Sequence, residues 1–506
     1  MEREIIKTLS CGVQRVEAII FLIILSPLAN SWQRISPSWD DTFFLHNGIC
    51  LARSFWNANL QGMEGCMGQI AKSPIMAMLL IPAGPSELRL ESLSVAPFML
   101  SLAIATMILV LHYFLRLAKV PYIAILLAAC FAITTPSMWS SGAPFMVDGL
   151  LAIVVACSIA FVFVEYENST LSPTESVKRG MIWALLITIG MLSKTTYAVI
   201  AILIAPIAIW MSILRSGINM TLMKLLSLLV FLIPLAIILI RYGDIYLAHA
   251  KNSSFGPLSS FYNDGLSPFR FILDSCAQNW SLWVGILLLV VFAVARGLER
   301  ERAIAGLLVA LVILVYFVIS STSPNKDPRF FWLVWLTLPF CAACSIAPQR
   351  NGSLSIGPSP TMKFLCALLI AVPAVGRLDL EKFRTSVAAI ATLPAHANAT
   401  LYVATDSAHF NIETLLLAQQ LEWRQYSQLQ IRTVVYDVVS EKSPQKSLER
   451  LASADYVLGQ FPVPGDAPDW ANRYASVFEQ SLRISDKVTK ELPADPSIHI
   501  FSKRGP

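Results

Sequence analysis

The sequence predicts a polytopic α-helical membrane protein of about eleven spanning helices, followed by a C-terminal soluble α/β domain. Three observations predict it. Hydrophobic residues make up 55% of the 506 and charged residues 14%, with a mean hydropathy of +0.61, whereas a soluble chain carries roughly 25% charged residues. Apolar runs recur at 13–29, 93–115, 121–135, 149–164, 181–193, 196–214, 224–240, 281–296, 303–320, 330–347 and 363–376, and about 20 such residues cross a bilayer. Lys and Arg fall in alternate loops: Arg3, Lys7 and Arg15, then Arg116 and Lys119, Lys178 and Arg179, Arg215 and Lys224, Arg296, Arg300 and Arg302, Arg350 and Lys363. Short positive loops stay in the cytoplasm. The N-terminus is therefore expected inside, and an odd number of spans puts the C-terminus outside.

The first run follows a basic segment and lacks a small-residue cleavage site after it, so it reads as a retained helix. Residues 1–376 form the membrane domain, with a first outer loop at 30–92. Further outer loops fall at 136–148, 241–280 and 321–329. The stretch 181–214 reads as two spans, with one long tilted helix as the alternative. Pro206 and Pro234 interrupt the runs that follow. The net charge of +5 follows from this topology and is not a nucleic-acid footprint; no nucleic-acid partner is expected.

Past residue 376 the apolar runs stop. "TLYVAT" (400–405), "IRTVVYD" (431–437), "DYVLG" (455–459) and "IHIFS" (498–502) read as strands, with amphipathic segments at 411–426 and 469–483 between them. Strands alternating with helices predict a small α/β layer. This domain, 377–506, holds neither a Gly-rich phosphate loop nor a Cys, and a capping or docking role is expected. Of the nine cysteines, Cys341 and Cys344 fall inside a span, where small residues serve helix packing. Cys50 and Cys66 lie in the first outer loop, where an oxidising compartment permits a disulfide.

Polar residues gather in the outer loops against the trend of the chain. "SWDDTFFLHN" places Asp40 and Asp41 side by side soon after the first span, and two adjacent carboxylates beside a membrane need a solvated turn or a task. "KSPIMAMLLIP" places Lys72 at the re-entry into the bilayer, "APFMVDGLL" places Asp148 at the outer start of the fourth span, "GMLSKTTYAVI" places Lys194 between two spans, and "DPRFFWLVWLTLP" places Arg329 at the mouth of another. A single charge at a span end is an ordinary interface anchor that snorkels to the headgroups. Three cations and three carboxylates on one side also describe a site.

These motifs, in this order and on one side, resemble the type-C glycosyltransferases, of which the aminoarabinose transferases of lipid A and the protein O-mannosyltransferases are members. The pair at 40–41 takes the place of that family's Asp-Glu. The Lys72 segment is similar to its "KPPL", the Lys194 segment to "GLxxLTKGP" and the Arg329 segment to "RYLLPxLP". The resemblance covers about residues 13–376. Asp41 stands where the family has Glu, Ser73 replaces the first Pro, and the C-terminal domain matches nothing.

The resemblance implies an inverting transferase that moves a sugar from a polyprenyl-phosphate donor to a cell-envelope glycan, lipid or protein acceptor, at the outer face of the plasma membrane. Asp40 or Asp41 would take the acceptor proton; Lys72, Arg329 and Lys194 would steady the departing phosphate. Asp148 would meet the acceptor or, with the pair, a divalent cation, although the family branch implies transfer without a cofactor. Membrane lipids are the remaining partners. Two other classes fit the same composition: a lipid-linked glycan polymerase or ligase, and a lipid or sugar transporter with broken helices. Against the transporter, no two halves of the chain repeat.

Overall fold

In a computed structural model the described residues are 17–29, 39–70, 72–84, 93–134, 147–167, 172–254, 266–297, 299–324, 331–346, 360–374, 381–393, 399–421, 429–435, 443–465, 467, 472–493 and 495–503. The first half opens with α1 (Glu17–Ala29), then α2 (Trp39–Trp56), α3 (Leu60–Gln69), the short α4 (Pro74–Met78), α5 (Val95–Leu117), α6 (Tyr122–Ile133), α7 (Val147–Glu167), α8 (Pro173–Ser193) and α9 (Tyr197–Phe231). There follow α10 (Ile233–Ser254), α11 (Pro268–Gln278), α12 (Trp280–Arg296), α13 (Arg300–Ser321), α14 (Trp332–Cys344) and α15 (Pro360–Ala371).

Six of these, α5, α7, α8, α9, α10 and α13, are long and apolar enough to cross a membrane. The pair α11 and α12, bent by 70°, makes a seventh if it is one span. The helices α1, α6 and α14 are apolar but shorter. Helix α7 is the axis of the bundle: its most apolar 18-residue window is wholly buried, whereas that of α13, of similar hydropathy, is 33% buried. Lipid-facing helices keep one apolar flank outward, as Ile202, Leu226 and Ile240 do here.

The stretch 181–214 is two helices, separated at Lys194–Thr196. The runs at 196–214 and 224–240 divide differently from expectation. Helix α9 carries on from Tyr197 to Phe231 through a sharp reversal at Gly217, whose φ of 75° is the left-handed region that a Cβ disfavours. The next break comes at Leu232, ahead of Pro234, which lacks the N–H a continuing helix would use.

The C-terminal residues build α16 (Glu381–Ala391), α17 (Ile412–Leu421), α18 (Gln445–Ser453) and α19 (Ala475–Ile484) around a five-stranded sheet. Its strands are β1 (Thr400–Val403), β2 (Gln430–Thr433), β3 (Tyr456–Gln460), β4 (Lys487–Leu492) and β5 (Asp495–Lys503), in the order β2-β1-β3-β5-β4. β1 runs parallel to β2 and β3; β5 is antiparallel to β3 and β4. The four segments read as strands are strands. β4 was not foreseen, because "KVTKEL" offers the core little beyond Leu492 and sits at an edge, where exposed Lys and Glu are the usual protection. One face of the sheet buries Leu401, Val403, Leu458 and Ile498 in the same cluster as α17 and the membrane bundle; the other closes over α18 and α19.

Candidate functional site

The helix α2 begins at the acidic pair. Asp40 and Asp41 occupy its first turn, where negative charge is favoured by the helix dipole; their side chains are outside the described atoms. Two contacts fix what lies around α2. At Gly48 the helix passes so close to the segment after Lys72 that a Cβ there would lie 2.6 Å from Leu80 and 3.0 Å from the Ala77 carbonyl oxygen. On the other side Arg53 donates from Nη2 to the carbonyl of Gln420 at 2.7 Å, at the C-terminal end of α17, where a cation suits the dipole. A disulfide between Cys50 and Cys66 pins α2 to α3.

Lys72 is held over the ring of Phe43, Nζ 5.4 Å from the centroid, within cation–π range. Phe43 follows Asp41 by two residues, so this cation reaches the turns that the acidic pair begins. Its neighbour Ser73 donates to the Leu192 carbonyl at 3.5 Å, which ties the Lys72 segment to the last turn of α8.

That last turn leads into Lys194. The helix stops there because Lys194 adopts an extended conformation (φ −162°, ψ 134°) while its N–H still closes on Gly190. The ammonium then donates to Asp148 Oδ1 at 2.7 Å. Asp148, 5% exposed, stands in the first turn of α7. An acid at one helix N-terminus and a base at a neighbouring C-terminus each oppose the local end charge, so the pair suits both helices. Two residues singled out separately thus come together. Tyr316 of α13, buried, lies within electrostatic reach of Asp148. Asp148 is engaged by Lys194, and among the described residues no three His, Cys, Asp or Glu gather where they could hold a metal ion. Arg329 lies outside the described residues.

One group near the pair went without a role in the sequence. Burial holds the His46 imidazole down to about 4, and its Nδ1 and the adjacent Asn47 Oδ1 have no hydrogen-bond partner among the described residues. His46 is therefore neutral at ordinary pH. Between pH 6.5 and about 4 the unfolded chain takes up a proton that the folded chain refuses, so this stabilisation is full above pH 6.5 and is lost as pH falls. Over the whole window it amounts to about 3 kcal/mol. The thermal midpoint of the wild type should fall between pH 7 and 4.5 more steeply than that of His46→Gln; equal slopes would mean the imidazole is solvated.

A second set of charges marks the other end of α7. Glu165 accepts from Lys224 and lies 3.6 Å from Arg179. Glu167 meets Arg302 at 2.5 Å and Lys119 at 3.0 Å. Nearby α1 and α5 are tied by Glu17 and His112 at 3.2 Å. Asp148 and Glu165 are 17 residues apart on one helix, or about 26 Å at 1.5 Å per residue, close to the roughly 30 Å of a hydrocarbon core. The charged groups lie at two levels with an apolar slab between.

This bundle, with an acidic helix start and two cations at one end, is that of a multi-pass membrane protein. The particular solved structures it is similar to are those of ArnT, an aminoarabinose transferase, from Cupriavidus metallidurans. The structure bound to undecaprenyl phosphate is 15% identical, covers 97% of this chain and 98% of that chain, and gives a TM-score of 0.51. The apo structure is 12% identical over 100% of both chains with a TM-score of 0.50. At these identities the likeness is one of fold. No family model matches the sequence, and no curated protein matches it.

Proposed function

We propose that this chain is an inverting glycosyltransferase, taking a sugar from a polyprenyl-phosphate donor and passing it to a glycan, lipid or protein acceptor on the outer face of the plasma membrane. The observation that carries the reading is the coincidence of two things. The fold is shared over nearly the whole chain with a protein whose structure holds undecaprenyl phosphate, and Lys72 and Lys194 stand at the end of the bundle where α2 begins with two carboxylates.

The chemistry follows from that arrangement. The acceptor hydroxyl attacks the anomeric carbon and gives its proton to Asp40 or Asp41. The bond from that carbon to the phosphate oxygen breaks on the opposite side, and the configuration inverts. The lipid phosphate leaves with its extra negative charge, which Lys72, Arg329 and Lys194 meet. Asp148 holds the Lys194 ammonium in place, so this cation is oriented before the donor arrives. The transfer draws on side-chain cations and on no metal. The disulfide in the segment between α1 and α5 supports an oxidising, outer location for this end, in keeping with a cytoplasmic N-terminus and an outer C-terminus.

The test is incubation of the purified protein in lipid nanodiscs with a panel of radiolabelled polyprenyl-phosphate sugars and membrane extract. Label should pass from one donor to an acceptor, with free polyprenyl phosphate as the second product. Lys72→Ala should weaken donor use by about 1.5–3 kcal/mol, the scale of a hydrogen bond to a charged group. Binding of the lipid phosphates without transfer from any of them would favour a carrier over an enzyme.

A further inference from the structure

The segment that follows Lys72 lies along α2. Three contacts fix the alignment: Lys72 stands over the ring of Phe43, Ala77 and Leu80 close on Gly48, and the Trp56 indole N–H donates to the Ile81 carbonyl at 2.7 Å. The disulfide between Cys50 and Cys66 braces the same helix from α3. Pro74, Met76 and Ala77 of α4 are buried. Both tracks are thus anchored by contacts other than that of Phe43, which is itself half-buried.

Lys72 is likewise half-buried, with its Nζ 5.4 Å from the centroid of that ring. A lysine side chain is long and flexible, and an ammonium that is to meet a phosphate must first give up that freedom. Contact with a ring face takes the loss in the folded protein, ahead of the ligand. The two lysines of this end are steadied by different means. Lys194 donates to the Asp148 carboxylate, whose charge opposes its own. The Phe43 ring attracts Lys72 through a quadrupole and adds no net charge, so it leaves intact the positive potential that draws an anion.

We propose that Phe43 is a positioning residue: its ring holds the Lys72 ammonium where the lipid phosphate arrives, and so sets the affinity for that phosphate without touching it. The inference rests on the donor reading above, in which Lys72 meets the phosphate. Phe43 lies one helical turn past Asp40, so the ring also fixes how far along α2 from the acidic pair the cation stands. An aliphatic side chain in its place would change packing and electrostatics together. Fluorine on the ring separates the two, because the shape is nearly kept while the face loses the negative charge that attracts a cation.

The test uses the full chain in nanodiscs, with Phe43 replaced by phenylalanine carrying one, two or three ring fluorines, and titrates binding of polyprenyl phosphate alone by native mass spectrometry. Affinity should fall stepwise along the series, by about fivefold at the third fluorine, with the thermal midpoint unchanged. The same series in a Lys72→Ala background should be flat, as a double-mutant cycle requires of two residues that act through each other. Equal affinity along the series, or the same decline in the absence of Lys72, would overturn the role of Phe43 and leave the donor reading in place. Failure of the wild type to bind polyprenyl phosphate at all would overturn both.

Discussion

Asp40→Asn or Asp41→Asn should lower turnover by about a hundredfold or more, the range for loss of a general base, while the protein stays folded and still binds donor. Asn keeps the size of Asp and its place in the first turn of α2, so the change is in charge alone. Two neighbouring carboxylates also differ in proton affinity when they are close. The pH profile of whichever variant stays active should therefore lose one of its limbs. The measurement is single-turnover transfer from radiolabelled donor under saturating acceptor. Near-normal rates in both variants would reduce the pair to a solvated helix start and remove the base from the mechanism.

Arg302→Ala should cost about 3–5 kcal/mol of stability, the scale of a buried ion pair broken by loss of one partner. Arg302 is 0% exposed and, among the described residues, is the largest charged side chain so enclosed. Its guanidinium donates twice to the Cys344 carbonyl, at 3.1 and 2.8 Å, once to the Ala118 carbonyl at 2.9 Å, and to Glu167. Those acceptors stand at the ends of α14, α5 and α7, where unpaired carbonyls and the negative end of each dipole converge. Removing the fork leaves both carbonyls without this donor and takes from Glu167 the nearer of its two cations, Lys119 being the other. Arg302→Lys should recover part of the loss, because an ammonium cannot serve three directions from one plane. Thermal unfolding of the detergent-solubilised protein reads the effect, and an unchanged midpoint in Arg302→Ala would mean that water replaces the side chain at that end.

The membrane class, the break at Lys194 and the positions of four strands were legible because they depend on local composition. Apolar runs, helix stops and alternating strands are written within a dozen residues. Asp148 and Lys194 stood out for a related reason: charge is rare in such a chain. Their pairing was not legible, since 46 residues separate them and nothing local specifies which ends of α7 and α8 adjoin. The same limit hid Arg302, which reads as one of several loop cations until the fold brings Glu167 to it across 135 residues. His46 was passed over because an imidazole in an amphipathic stretch gives no sign of whether it is buried. The reversal at Gly217 divided the runs differently from hydropathy, which registers apolarity and not direction.

Helix α7 has a consequence for how the protein is made. Its central window is as apolar as a lipid-exposed span, with a mean hydropathy of 2.6, yet none of that window faces lipid in the finished molecule. Hydrocarbon side chains give little reason for helices to associate once all are in the bilayer, so the apolarity of α7 serves an earlier moment, when the nascent segment must partition from the translocation machinery into the membrane by itself. Small residues along it, Gly149, Ala152, Ala156 and Ala160, serve the later one, by letting neighbours close in. The helix thus has two successive solvents, acyl chains during biogenesis and protein thereafter. A polar substitution at its centre would be punished at insertion, before any packing defect could arise, and would surface as lost membrane yield in place of a lowered melting point.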